Sequence, residues 1–330
     1  MPELPEVETI ARELRPLVAG AVVRETWTDW PRVIRHPDPA AFGRGLVGHE
    51  VLDVTRRAKW LVLALSGELV LVVQVKMTGQ LLVQPASVPR DRHVHLVVAF
   101  EDGRELRLRD VRKFARVGLY RRGEDGMPLA ADEAAELFAG HGPEPLDPSF
   151  TLRAWRARLR GRRGRLKSLL MDQAFLAGVG NIYADEALWR ARLHPLRSAA
   201  SLRPAEERRL YEAVRGVLRE GIERRGSSVG DYTAPEGDGE MQQHLDVYQR
   251  TGRPCHRCGR PIRRIVLGGR GTHFCSWCQR LPLAERTPAV RRLLASATIA
   301  ARRGPTWDDL PAAVGAVGAR PSRGTRRAAR

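Results

Sequence analysis

The sequence predicts an α+β chain: an N-terminal antiparallel β-sandwich with a leading helix, then a helical domain, then a C-terminal four-cysteine zinc finger. Three observations carry that reading. Between residues 51 and 120, seven short apolar runs are separated by turn signals such as Ser66-Gly67 and Asp102-Gly103, the spacing of an antiparallel sandwich or barrel. From Thr151 onward the apolar residues recur at helical intervals instead. The only four cysteines fall in two CxxC pairs.

The chain opens on MPELPEVETI. Pro5 suits the first turn of a helix, and Glu6 and Glu8 suit its positive end. Val7, Ile10, Ala11 and Leu14 then form an apolar face, which Pro16 should stop. The same stretch has a chemical reading. Removal of Met1 leaves Pro2 as a free secondary amine beside the Glu3 carboxylate. An α-amine has a reference pKa of about 8, against about 10.4 for lysine. A neutral fraction is therefore free to attack an electrophilic carbon and form an iminium, with a carboxylate at hand to shuttle protons. Taken alone, the segment favours the capped helix.

Strands are expected at 51–54, 60–65, 69–75, 81–83, 94–100, 106–108 and 117–120, with the basic loop Arg56-Arg57-Ala58-Lys59 entering the second. Between 123 and 148 the composition shifts to Gly, Pro, Ala and acids. We therefore divide the chain into a sandwich domain at 1–124, a connection at 125–150 and a helical domain at 151–245. Within the last, 153–160 is basic and 166–177 is apolar on one face. Gly178-Val179-Gly180 leads to Asn181 as N-cap of a helix over 182–192, and a further helix spans about 205–224. Glycines ahead of a helix leave backbone N–H groups open to an anion, so this turn reads as a phosphate clamp, although an ordinary helix hairpin has the same pattern. The loop 226–240, rich in Gly, Ser and Asp, has a length that is often functional.

The finger, at 246–280, holds Cys255, Cys258, Cys275 and Cys278 with sixteen residues between the pairs. Four thiolates at that spacing close a tetrahedral zinc site with no open position, so one structural zinc ion is expected. Arg270, flanked by glycines at the tip of a hairpin, is placed to meet a phosphate backbone, or is a solvated turn residue. The tail at 281–330, with one weak helix possible beyond 288, reads as largely disordered. A net charge of +18 over 330 residues points to a polyanion partner, nucleic acid before membrane. Residues 284–330 hold ten arginines and three acids, so the folded part is basic as well. No apolar run is long enough to span a bilayer and there is no signal peptide, which suggests a cytoplasmic protein. In the sandwich, Met77 with Arg112 and Phe114 suits an apolar wedge and a cation that fill the gap left by an extruded base; singly, Met77 and Phe114 read as core. His93 and His95 alternate on a strand, so one face at most carries function.

These motifs resemble the formamidopyrimidine-DNA glycosylases of the Fpg/Nei superfamily over residues 1–280. The resemblance rests on PELPEVET at 2–9, RRAKW at 56–60, MTG at 77–79, DVRKF at 110–114, GPEPL at 142–146, LLMDQAFLAGVGNIYADEAL at 169–188 and the finger ending GRGTHFCSWCQR. It implies a sandwich, a helix-two-turn-helix domain and a zinc finger, with duplex DNA containing an oxidised base or abasic site as partner, bound in the cleft between the domains, and a monomeric protein. The implied activity is base excision with strand cleavage: Pro2 attacks C1′ of a flipped-out oxidised purine (8-oxoguanine or a formamidopyrimidine), and β,δ-elimination follows. On matching positions, Glu3 is the proton donor, Glu6 supports the site, Lys59 serves β-elimination and Arg270 serves δ-elimination. His93, Arg163, Lys167, Asn181 and Tyr248 are expected to contact DNA, and Met77, Arg112 and Phe114 to fill the void. Two departures stand out: Gln74 occupies the position of a usual histidine, and the 226–240 loop carries acids where a lysine and an aromatic are common. Oxidised-pyrimidine excision of the endonuclease VIII type and a non-catalytic damage-binding protein are the alternatives; intact Pro2, Glu3 and Lys59 argue against the second.

Overall fold

The computed structural model describes residues 1–130, 137–227 and 239–299. Helix α1 (Leu4–Val18) begins as expected, but Pro16 lies inside its last turn and does not stop it. A proline so near the end removes a single intrahelical bond, and the Ala19 amide still closes on the Arg15 carbonyl at 3.0 Å.

The segment 20–50, on which the sequence reading placed nothing, supplies β1 (Val23–Thr28), β2 (Ile34–His36) and α2 (Pro39–Leu46). All seven expected strands follow: β3 (Val51–Arg57), β4 (Trp60–Leu65), β5 (Leu69–Gln74), β6 (Gly79–Pro85), β7 (Val94–Phe100), β8 (Arg104–Asp110) and β9 (Arg116–Arg121). One sheet has the order β1-β7-β8-β6 and the other β2-β9-β5-β4-β3. The sandwich is not wholly antiparallel, because β2 pairs with β9 in parallel. The long stretch of chain between these two strands allows the crossover that a parallel pair needs.

The helical domain contains α3 (Leu152–Leu159), α4 (Leu166–Met171), α5 (Asn181–Arg190) and α6 (Pro204–Glu223). Helix α1 belongs to two cores at once. Val7, Ile10, Ala11, Leu14 and Val18 pack with Leu61, Leu63, Val98 and Phe100 between the sheets. Leu4, at its first turn, packs instead with Phe175, Leu176, Val179, Tyr183 and Val217 of the helical domain.

The finger carries the hairpin β10 (Arg263–Leu267) and β11 (Arg270–Phe274), which turns at Gly268 and Gly269 with φ of +55° and +74°. The expectation of a largely disordered tail from 281 is corrected for its first part. Residues 281–299 are folded and include α7 (Pro288–Ala295), whose Val290 is buried against Ile265 and Phe274 of the hairpin. Its apolar Val290, Leu293 and Leu294 repeat at helical spacing, the pattern behind the weak helix expected there. Residues 228–238 of the expected 226–240 loop, and 300–330 of the tail, lie outside the described residues.

Two buried titratable groups at the junction of helical domain and finger give stability a pH dependence. His194 sits edge-on to Phe274 with centroids 4.6 Å apart, and its Nδ1 accepts from the Leu196 amide at 3.1 Å. Burial, helped by the nearby Arg286 charge, pulls its pKa from 6.5 to about 3. Burial works against the Glu206 carboxylate, but hydrogen bonds from Arg197 and Arg203 outweigh it and hold that pKa at about 2, below the ordinary 4.5. In both cases the unfolded chain takes up protons that the folded chain refuses, so both contributions are complete at neutral pH and are lost on acidification. We expect the urea midpoint to fall as pH drops below about 6.5 and more steeply below about 4.5. His194→Gln should flatten the upper part of that curve only, as measured by urea titrations between pH 7.5 and 4.

Candidate active site

A cavity of about 480 Å³ opens where the sandwich, the helical domain and the finger hairpin meet. Pro2, Glu3, Lys59, Met77, Asn181, Tyr248 and Arg270 all line it. These residues come from distant points of the chain, and they are seven of the thirteen non-cysteine site residues expected from the sequence.

At its floor is Glu3, 2% exposed. Its carboxylate accepts from the backbone amides of Gly180 (2.8 Å), Ile182 (2.8 Å) and Tyr183 (3.3 Å). The N–H groups expected to face an external phosphate therefore face a carboxylate of the same chain. This also corrects the expected helix start: Asn181 is the first residue of α5, Gly180 is its N-cap, and Glu3 supplies the capping oxygens. The glycines of the turn now have specific reasons. A Cβ at Gly180 would collide with the Glu3 carboxylate, and Gly178 has φ +81° while its carbonyl accepts from the Leu4 amide at 3.0 Å.

Glu6 lies behind Glu3 and away from the cavity. It accepts from the Glu3 amide (2.8 Å), the Tyr183 hydroxyl (2.7 Å) and the Ser227 amide (2.8 Å), and so ties the start of the 226–240 loop to the first turn of α1. Burial and then the Glu3 charge raise its pKa above the usual carboxylate range. Pro2 is buried and Met1 is half exposed; the proline nitrogen is an amide until Met1 is removed.

Lys59 sits in the two-residue turn between β3 and β4, where Ala58 takes φ +53° and Arg57 pairs with Trp60. Glu144 holds this turn, accepting from the Ala58 amide (2.6 Å), Arg57 (2.8 Å) and Arg56 (2.6 Å). The Lys59 ammonium donates to the Val179 carbonyl at 2.9 Å. Burial lowers its pKa; the Glu3 and Glu6 charges oppose that, and Arg270 adds to it. Arg270 itself is exposed at the hairpin tip.

Lys167 is corrected. Rather than facing DNA it is 1% exposed, with Nζ 2.7 Å from Asp185 and donating to the Gly271 carbonyl at 2.9 Å. Asp185 also accepts from the His273 amide at 2.8 Å, so Lys167 holds the Arg270 hairpin onto α4 and α5. Among the other expected contacts, His93 is half-buried just before β7, with Nε2 accepting from Arg92, and Arg163 is exposed in the loop between α3 and α4. Neither lines the cavity. His95 is buried 2.8 Å from Asp29 and has a structural role. Tyr248 and Asn181 both line the cavity, and burial pushes the Tyr248 pKa up to about 12, with the Asn181 side chain acting against it. The Tyr248 backbone is fixed by Glu186, which accepts from the amides of residues 246, 247 and 248. Glu144, Asp185 and Glu186 were not singled out by the sequence reading, although each lies inside a quoted motif.

Met77, Arg112 and Phe114 come together at the sandwich edge. Arg112 lies 4.8 Å over the Phe114 ring and donates to the Met77 sulfur at 3.5 Å, while Met77 and Phe114 stay 39% and 48% exposed. Such large exposed apolar side chains beside a cation suit a wedge and not a core. Asp110, fully buried, holds both turns: it accepts from the Thr78 hydroxyl and from the amides of Arg112 (3.2 Å), Phe114 (2.7 Å) and Ala115 (2.8 Å). Asp110→Ala leaves these donors unpaired, and we expect a loss of about 2–4 kcal/mol in stability. It should also weaken affinity for a duplex carrying an abasic-site analogue, measured by fluorescence anisotropy, more than affinity for undamaged duplex.

The four cysteine sulfurs lie within 4.8 Å of one another, with Cys258 and Cys275 3.5 Å apart and Cys255 and Cys278 4.0 Å apart. A tetrahedral ion with bonds of about 2.3 Å sets its sulfurs roughly 3.8 Å apart, so these side chains fit one zinc ion. The Trp189 indole donates to the Cys255 sulfur at 3.4 Å as an outer-shell partner.

Family models match three parts of the chain: the formamidopyrimidine-DNA glycosylase N-terminal domain at 1–117, its H2TH domain at 141–233, and the zinc finger found in FPG and IleRS at 252–281. The formamidopyrimidine-DNA glycosylase of Roseiflexus sp. (strain RS-1) is 46% identical over 282 residues, covering 85% of this chain and 100% of that one. That of Herpetosiphon aurantiacus is 47% identical, covering 84% and 100%. Among solved structures, the MutM (Fpg) protein of Thermus thermophilus superposes with TM-score 0.73 at 41% identity, covering 84% and 98%. Lactococcus lactis Fpg bound to DNA containing N7-benzyl-Fapy-dG gives TM-score 0.77 at 33% identity, covering 85% and 100%. No helix among the described residues is long and apolar enough to cross a membrane. The chain belongs to the formamidopyrimidine-DNA glycosylase family.

Proposed function

We propose that the protein is a base-excision repair glycosylase with AP lyase activity that removes oxidised purines from duplex DNA. The observation that carries this reading is the convergence of Pro2, Glu3, Lys59 and Arg270 on one cavity, with the Met77, Arg112 and Phe114 wedge at the sandwich edge. Lactococcus lactis Fpg, of the same family, has been solved with DNA containing N7-benzyl-Fapy-dG and with DNA containing an abasic site. We take the protein to act as a monomer in the cytoplasm, on duplex DNA that carries an oxidised base or an abasic site. Domain boundaries at 1–124, 125–150, 151–245 and the finger from 246 serve this division of labour.

In the mechanism, Met1 is removed and the Pro2 amine attacks C1′ of the flipped nucleotide. The glycosidic bond breaks, and the departing base takes a proton relayed by Glu3. The C1′–O4′ bond then opens to give an iminium, which acidifies the C2′ proton. Lys59, with its lowered pKa, is suited to remove that proton in neutral form. The 3′ phosphate leaves by β-elimination; a second proton loss expels the 5′ phosphate, whose charge Arg270 meets. His93, Asn181, Tyr248 and Arg163 are placed on flanking phosphates. The void-filling trio takes the space of the extruded base, with Arg112 reading its orphaned partner.

Borohydride should trap a covalent complex between the Met1-processed protein and an 8-oxoguanine duplex. A protein with an N-terminal tag should still bind but neither trap nor cut. Full cutting by the tagged protein would rule out Pro2, and trapping on thymine glycol in preference to 8-oxoguanine would favour the pyrimidine branch. A second expectation concerns pH. If neutral Lys59 is the base, β-elimination on an abasic duplex should rise with pH to a plateau. Arg270→Ala should move that rise to higher pH, since the Arg270 charge lowers the Lys59 pKa. An unshifted rise would remove Lys59 from the step.

A further inference from the structure

The fold continues past the matched finger. Residues 282–299 lie beyond its last residue, 281, yet three sets of contacts bind them to the rest. Val290, with Leu293, Leu294 and Ala297, packs on Ile265 and Phe274 of the hairpin and on Leu196. Thr298 and Arg264 exchange both backbone hydrogen bonds, each 2.9 Å, adding a rung along the outside of β10. Glu285 accepts from the Ser198 amide and the Ser201 hydroxyl, both at 2.6 Å, in the helical domain.

The cysteine cluster belongs to a different core, with Trp189, Val247 and Ile262. Phe274 and Cys275 are consecutive, and the two cores take one each, so the chain is gripped on opposite sides as it leaves β11. An isolated two-stranded hairpin is marginal in water. In a finger held on one side only, loss of the metal would release it.

We propose that residues 282–299 form a second clasp on the Arg270 hairpin, a positioning element that keeps β10 and β11 docked on the helical domain even without zinc. Glu285 anchors the clasp at one end, and Val290 with the Thr298 rung anchors it along the hairpin. Only the meaning of Arg270 rests on the function proposed above; the clasp does not. The bonds of Lys167 and Asp185 to β11 are common to all variants compared, so they cancel.

The test is amide hydrogen exchange by mass spectrometry on the full chain, with zinc and after chelation, following peptides over 263–274 and using 94–110 of the sandwich as internal reference. In the unsubstituted protein, chelation should speed exchange around the cysteine pairs and leave 263–274 within about threefold of the zinc-loaded rate. In Val290→Asp, chelation should speed exchange over 263–274 by at least about tenfold more. If Val290→Asp also loses protection in the sandwich, Leu294→Ala serves as the milder variant. The clasp is overturned if 263–274 of the unsubstituted protein loses its protection with the metal, or if the substituted and unsubstituted hairpins respond alike. A protected, zinc-free hairpin that no longer supports δ-elimination would count against the role of Arg270 and leave the clasp standing.

Discussion

The structure turns on the Glu3 carboxylate at the N-terminus of α5. Three backbone amides of the helical domain close on a side chain that is 177 residues away in sequence at its nearest amide partner. The interaction combines charge-assisted hydrogen bonds with the positive end of a helix, and it is out of water. It fixes the carboxylate that neighbours Pro2 in the cavity. It also fixes the angle between the domains, because α1 carries Glu3 at its start and fills the sandwich core with the rest of its length. The cleft is thus the space left by a helix shared between two cores.

The cavity balances charge tightly around this contact. Lys59 is drawn from the sandwich to the Val179 carbonyl, next to the turn that Glu3 caps, and Glu6 closes the network from behind through Tyr183 and Ser227. Lys59 is half-buried, and Arg270 lies near enough to lower its pKa further. The two cations arrive from different domains, so their spacing depends on the same interdomain lock. A change that loosened Glu3 would alter the electrostatics of Lys59 without touching Lys59.

Much of this was legible in the sequence for a physical reason. Short strands bounded by turns and paired cysteines are local patterns that each point to one arrangement, whereas the proline-glutamate terminus reads as a capped helix until the other motifs are set beside it. What was not legible is pairing at a distance. Nothing in GVGN tells whether the anion at its amides is a phosphate or Glu3 of the same chain. Lys167 looks like any surface cation on a helix that is apolar on one face until Asp185 and the Gly271 carbonyl are found beside it. Residues 20–50 lack a clean alternation, because β1 is mostly exposed and β2 is only three residues long. The folded segment after 281 was masked by its arginines: the few apolar residues that dock it are outnumbered, and only their contact with Ile265 and Phe274 gives them weight.

The functional side chains also share a mode of presentation. Lys59 follows Ala58 at φ +53°, Met77 follows Lys76 at φ +57°, and Lys113 at φ +55° separates Arg112 from Phe114. Left-handed backbone at a non-glycine residue costs on the order of 1–3 kcal/mol and persists only where its surroundings over-determine it. The surroundings here are two acids, Asp110 fully buried and Glu144 half-buried. Glu144 binds the Ala58 amide and both neighbouring arginines, and Asp110 binds the turn residues of 112–115 together with Thr78, one residue after Met77. Asp110 lies within the cationic DVRKF motif, whereas Glu144 reaches the RRAKW turn from GPEPL, more than eighty residues further along the chain. A tight turn projects a long side chain outward from a rigid sheet, and a carboxylate keeps the turn from relaxing. The left-handed residues in these loops and the acids that hold them are therefore one device, which sets Lys59, Met77, Arg112 and Phe114 on turns whose amides are tied down by side-chain hydrogen bonds.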